Sequence, residues 1–258
     1  MKVSGDLLIE VHSLHKDEYV THARQILRDD VYREIYVTNE KGHLTGMIDI
    51  TDVLKITDTR SNVTISGFVR EAPSVAMETS LEEVGSTILN AGTDSVAVLK
   101  ESGTFIGAIL FRDLFPVLVS RHEITGSVGD AMTANVICSE SDWSIQKVYS
   151  RIVETGYASL PVVTNQKLIG IISRRDLIEN GSIRRSLGNS AKTSISRVMT
   201  TPVITTSPNA TVSEAANLLI THDISRIPVV DDGYVVGILD RHDVLKNLCT
   251  ENIRDHHA

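Results

Sequence analysis

The chain has 258 residues, is 41% hydrophobic and carries a formal net charge of −8. That length buries a sizeable core in one large or two ordinary domains, and the acidic balance argues against a protein built to neutralise a nucleic-acid backbone. No apolar run approaches the roughly 18 to 20 residues a bilayer crossing needs, the opening MKVSGDLLIE lacks a secretory pattern, and Cys138 and Cys249 are too few for a disulfide framework, so a cytoplasmic protein without membrane association is expected.

In chain order, the first predicted helix places Val20, Ala23 and Leu27 at i, i+3 and i+7, one face of a helix. A strand EIYV (34–37) follows, then the turn NEKG and an apolar strand leading into GMIDITDVL (46–54): a glycine, apolar residues, an aspartate six positions on, and an apolar helix-like stretch. The same order returns with Leu81, Val84 and Ile88 after a capping-box pattern of Ser80 and Glu83, with SVAVL (95–99), and with GAILFRDLF (107–115). A third copy has Ile145, Val148 and Ile152, SLPVV (159–163) and GIISRRDLI (170–178). After the polar stretch 180–192, a fourth has the pair Thr211 and Glu214, the face Val212, Ala215 and Leu219, then RIPVV (226–230) and GILDRHDVL (237–245).

Four copies at intervals of roughly sixty residues make a repeat protein of strand, helix, strand, strand, helix units. One such unit buries too little surface alone, so pairing is expected. The fold class is α/β (α+β), with repeats at 1–58, 59–120, 121–182 and 192–250 and paired modules 1–120 and 121–258.

The strand-helix-hairpin-helix unit, the Pro-Val-Val strand and the turn of glycine, two apolar residues, serine and an aspartate three on resemble the CBS domain. The resemblance covers nearly the whole chain and is weakest at EVHSLHKDEYV in repeat 1. It implies Bateman modules, a flat disk of four domains, and clefts for an adenosyl ligand such as AMP, ADP, ATP, S-adenosylmethionine or methylthioadenosine. It implies a regulatory protein acting on a protein effector or pairing with a second copy, with no required cofactor and no catalysis. An interaction scaffold with vestigial clefts is the alternative.

An aspartate in the first turn of a helix has two readings. Its carboxylate can accept both hydroxyls of a ribose, with Ser173 and Arg174 or Arg175 adding polar and phosphate contacts around Asp176. The same Ser-x-x-Asp pattern is also a capping box. All four repeats keep the aspartate (Asp52, Asp113, Asp176, Asp243), but the position three before it is Asp49, Leu110, Ser173 and Asp240. The resemblance places the best cleft at Ser173, Arg174 and Asp176, facing Thr200, Thr201, Pro202 and Val203 and the strand residues Arg226, Ile227 and Pro228. It places a second at Asp243 and Arg241, facing Thr133, Asn135, Val136, Ala158, Ser159 and Pro161, where Asp240 disfavours phosphate. In the first half, Asp52 faces Ala72, Pro73 and Ser74, and Asp113 has Arg33 and Arg112 as its phosphate contacts. No metal-binding spacing, phosphate loop or nucleophile motif appears, and Trp143 is assigned to packing.

Overall fold

A computed structural model describes residues 7–56, 61–179 and 193–255. The polar stretch 180–192 and the histidines 256 and 257 lie outside the described residues. The first quarter runs β1 (Ser13–His15), α1 (Val20–Asp29), β2 (Glu34–Thr38), β3 (Leu44–Asp49) and α2 (Ile50–Leu54). The second runs β4 (Ser74–Ala76), α3 (Leu81–Ala91), β5 (Ser95–Leu99), β6 (Phe105–Leu110) and α4 (Phe111–Arg121). A short α5 (Val128–Ala131) leads to β7 (Thr133–Ala134), β8 (Ser139–Glu140), α6 (Ile145–Thr155), β9 (Ser159–Thr164), β10 (Lys167–Ser173) and α7 (Arg174–Glu179). The fourth quarter has α8 (Val212–Thr221), β11 (Arg226–Asp231), β12 (Tyr234–Asp240) and α9 (Arg241–Asp255). Its opening strand shrinks to a single parallel bridge between Thr206 and Val229. The last helix reaches Asp255.

The helices form where apolar periodicity and caps coincide. Every position of the four faces named above, from Val20 to Leu219, is at most 2% exposed; burying each such aliphatic side chain contributes roughly 1.5–3 kcal/mol for the larger ones. At the helix starts the two capping-box patterns differ. Thr211 and Glu214 close both arms, whereas Ser80 Oγ accepts from the Glu83 N–H at 3.2 Å without a return arm from Glu83. Gly92 and Gly156 end α3 and α6 in the left-handed conformation (φ 63° and 70°), where a Cβ would be strained.

The chain divides into two compact units, Met1–Glu123 with Cys249–Ala258, and Ile124–Leu248. In the first, β1-β2-β3 and β4-β5-β6 form two three-stranded sheets. In the second, the hairpins β9–β10 and β11–β12 join one sheet, yet β10 and β12 pair only at Lys167 and Tyr234. Beyond that point each hairpin takes a strand from the other repeat. Thr200 exchanges two backbone hydrogen bonds with Ile171 of β10 (2.8 and 3.1 Å), and Thr133 and Ala134 pair with Ile238 and Gly237 of β12. The first unit repeats the exchange: Arg70 with Met47 of β3 (2.8 and 2.9 Å), Ile9 with Ala108 of β6 (2.9 and 3.0 Å).

This exchange explains the marker glycine. A Cβ on Gly46 or Gly107 would sit 2.4 Å from the Arg70 carbonyl oxygen or 2.3 Å from that of Ile9. On Gly170 or Gly237 it would sit 2.4 Å from Met199 Sδ or 2.2 Å from Met132 Sδ. In all four repeats the glycine is the place where the neighbouring repeat's opening segment crosses the hairpin.

Candidate functional site

The turn after β3, β10 and β12 is built as a reciprocal cap. Asp49 Oδ1 accepts from the Asp52 N–H (3.0 Å) while Asp52 Oδ2 accepts from the Asp49 N–H (3.1 Å). Ser173 Oγ accepts from the Asp176 N–H (3.2 Å), and Asp176 Oδ2 accepts from both the N–H and the hydroxyl of Ser173, each at 2.7 Å. Asp240 and Asp243 make the same pair of bonds at 3.0 and 2.9 Å. Repeat 2 departs because Leu110 has no acceptor side chain; Asp113 is 43% exposed with Arg112 Nε 3.8 Å away. The capping reading is therefore realised in three repeats, and any ligand role is additional to it.

In the second unit, the segment anchored at Thr200 on β10 reaches β11 at Thr206, whose N–H donates to the Pro228 carbonyl. Thr201, Pro202 and Val203 are thus strung between the two hairpins, with Thr201 and Pro202 exposed and Val203 half-buried. Asp176 stands at the Thr200 end. Burial raises its pKa most, the Ser173 contacts and the Thr200 hydroxyl pull it down, and Glu179 pushes it up; the net shift is upward. No cation pairs with it among the described residues. Such a half-buried carboxylate can accept two hydroxyl donors from a vicinal diol. Ile227 and Pro228 lie in β11 opposite Leu239 and Ile238.

The arginines are placed differently from a phosphate grip. Arg174 turns back onto the end of α6, donating to the carbonyls of Tyr157 (3.0 Å) and Gly156. Arg241 does the same at α8, 3.5 Å from the Leu219 carbonyl and 3.2 Å from Asp223. A cation at a helix C-terminus satisfies carbonyls that lack an intrahelical partner. Arg175 pairs with Glu179, and Arg226 lies 3.9 Å from Asp240 across the β11–β12 pair.

The reciprocal cleft runs from Thr133 and Ala134 on β12 to Ser139 on β9, with Asn135 and Val136 between. Asn135 adopts a left-handed backbone (φ 57°), a conformation asparagine tolerates. Asp243 is pushed up to about 6, first by burial and then by the Asp240 charge. Ser159 is buried with an Oγ that has no hydrogen-bond partner among the described residues, close along the chain to the half-buried Ala158 and buried Pro161.

In the first unit the turn carboxylates at Asp49 and Asp52 are paired with cations. Arg70 donates to Asp52 Oδ2 (2.9 Å) and Asp49 Oδ2 (2.8 Å), and Lys55 Nζ takes Asp52 Oδ1 at 2.8 Å. Burial would lower the Arg70 pKa; the bonds and charges of Asp49 and Asp52 outweigh it and hold it above its ordinary value. Across the repeat boundary, buried Glu34 accepts from the Asp94 N–H and the Ser95 hydroxyl (both 2.9 Å), Ser95 Oγ lies 2.7 Å from the Tyr36 hydroxyl, and Arg33 lies 3.3 Å from Asp94. Burial, then the Asp94 charge, pushes Glu34 up to about 7. Arg70 and Glu34 were absent from the sequence-derived site. The signal for Arg70 was a charged residue where Thr133 and Thr200 stand in the other opening segments; Glu34 stands where Arg226 does.

Trp143 is half-buried, with Lys147 Nζ 3.6 Å from its ring centre. No helix among the described residues is long and apolar enough to cross a membrane.

A family model described as the CBS domain matches residues 5–58, 128–182 and 195–249, more than half of the chain. The CBS domain-containing protein YhcV of Bacillus subtilis is 31% identical over 121 residues, 47% of this chain and 84% of that protein. Protein MJ1225 of Methanocaldococcus jannaschii is 25% identical over 179 residues, 64% of this chain and 62% of its own length. Its crystal structure, described as that of a proposed archaeal homologue of g-AMPK, superposes with a TM-score of 0.82 at 20% identity, covering 95% of this chain and 99% of that one. An inosine-5'-monophosphate dehydrogenase of Nitrosopumilus maritimus is 34% identical over 121 residues, 46% of this chain but 24% of the enzyme. Among these curated relatives, the matched stretch spans less than two thirds of MJ1225 and of the dehydrogenase.

Proposed function

This chain belongs to the CBS domain family, and from that premise we propose that it is a non-catalytic regulatory protein that binds an adenosyl ligand in its second unit and thereby controls a protein effector. In this reading the chain comprises four repeats, 1–58, 59–120, 121–182 and 192–250. Asp176 takes the ribose diol, Thr200 to Val203 line the base, and Ile227 and Pro228 close the far side. The observation that carries the reading is Asp176: a half-buried carboxylate, held by Ser173 on one oxygen and paired with no cation among the described residues, at the start of a segment that spans two hairpins. The Asp243 cleft, with Asp240 beside it, suits a ligand of lower negative charge, such as methylthioadenosine or the cationic S-adenosylmethionine.

With Arg174 turned onto the end of α6, triphosphate recognition rests on fewer cations than the sequence promised, which favours AMP or an uncharged adenosyl compound over ATP. The interaction scaffold remains the second reading, supported by three turns that are complete caps without a ligand.

A thermal-shift panel of AMP, ADP, ATP, S-adenosylmethionine and methylthioadenosine tests the proposal. A ligand at 100 times its dissociation constant adds about 2.7 kcal/mol to stability. Asp176→Asn, which keeps an acceptor for Ser173 but loses the charge, is expected to abolish the largest shift. No shift with any compound, or a shift that survives Asp176→Asn and Asp176→Ala, overturns the reading in favour of the scaffold.

A further inference from the structure

Resting on the reading that a carboxylate at this turn takes a ligand's diol in the second unit, we infer that the first unit carries its own occupant: the Arg70 guanidinium fills the corresponding place at Asp52 and Asp49, so that this cleft is closed to adenosyl ligands.

Arg70 holds on β3 the backbone position that Thr200 holds on β10, each exchanging two hydrogen bonds with the residue after the marker glycine, Met47 or Ile171. At that position the threonine hydroxyl acts on one carboxylate, lowering the pKa of Asp176 against the larger effect of burial. The arginine fork spans two, with one nitrogen on Asp52 Oδ2 at 2.9 Å and the other on Asp49 Oδ2 at 2.8 Å. Lys55 occupies the remaining oxygen of Asp52, whose side chain is only 8% exposed. A neutral diol would also donate to the charged carboxylates, but it brings no positive charge of its own, and it would leave Asp49 and Asp52 facing each other without the guanidinium between them. The planar fork is preorganised and covalently tethered, so it competes with a free ligand as an intramolecular partner.

Equilibrium dialysis of the whole chain against radiolabelled adenosine and AMP counts the sites. Arg70→Thr copies the residue at position 200 and is expected to bind one more adenosine per chain than the parent. Adding Asp52→Asn to it removes the gained site, and adding Asp176→Ala does not. A folded Arg70→Thr chain, judged by circular dichroism, that gains no site overturns the inference. So does a parent chain that loses a site on Asp52→Asn alone, an arm that decides the matter even if Arg70→Thr does not fold. A parent chain that binds neither probe removes adenosine and AMP as the Asp176 ligand, while the gain or absence of a site in Arg70→Thr still decides this inference.

Discussion

Substituting alanine at the crossing glycines distinguishes two kinds of obstacle. At Gly107 the new Cβ meets backbone, 2.3 Å from the Ile9 carbonyl oxygen and 3.2 Å from its carbon, with Leu8 Cδ1 at 3.0 Å. Relief requires pulling the Ile9 segment off β6, which breaks its two hydrogen bonds at 2.9 and 3.0 Å. At about 0.5–1.5 kcal/mol net for each bond, with about 1–3 kcal/mol for an alanine held at an unfavourable backbone angle, the total is about 2–6 kcal/mol. Gly107 does have such an angle, φ 150°. At Gly237 the obstacle is a side chain, Met132, with Sδ at 2.2 Å and Cγ at 2.9 Å. Methionine can turn aside, so the cost is that of overpacking, about 1–3 kcal/mol.

Denaturant melts of the whole chain, followed by circular dichroism, measure both. Combining Gly237→Ala with Met132→Ala should recover at least about 1 kcal/mol relative to the sum of the single changes. No side-chain truncation should rescue Gly107→Ala to a similar degree. A Gly107→Ala chain within about 0.5 kcal/mol of the parent, or strict additivity at Gly237 and Met132, refutes the close-approach account.

Glu34 holds its proton more tightly folded than unfolded, so its contribution is present at low pH and is lost as pH rises toward about 7. Glu34→Gln should therefore be more stable than the parent at pH 8, by at most about 3 kcal/mol, with the difference fading toward pH 5 in urea melts; a parent that gains stability over that range contradicts the assignment. Asp243→Asn has the same sign over a lower window, below about 6, because burial and Asp240 both raise that carboxyl; equal pH profiles for parent and variant would show the pair to be uncoupled from folding. Thr211→Ala should cost about 1 kcal/mol, and more than Ser80→Ala, since only the former breaks a box with both arms closed. Melting the two variants side by side ranks them, and the reverse order counts against the box.

The local architecture was readable because side-chain pattern and burial are the same information. Val20, Leu81, Ile145 and Val212 each begin a row of apolar residues at helical spacing, and the core forms along those faces. The CBS resemblance pointed to the pairing of repeats, but not to which backbone atoms meet. Those contacts are hydrogen bonds between main-chain groups, such as Thr200 with Ile171, and main chain leaves no pattern in residue identity except the glycine it crosses. The turn aspartates were found for the right position, yet their chemistry differs by what the neighbouring repeat delivers: a hydroxyl at Asp176, a guanidinium at Asp52. Arg174 illustrates the same limit, since its charge was visible but the helix end that claims it was not.

The traded opening segments bear on how the chain can be dissected as well as on packing. A lone repeat would leave one flank of its hairpin uncovered, and a copy on another molecule would be the nearest thing able to cover it. Two repeats in one chain therefore supply to each other what two separate polypeptides would otherwise have to exchange. The pair, rather than the single motif, is the smallest piece that can be cut out with its hairpin flanks covered.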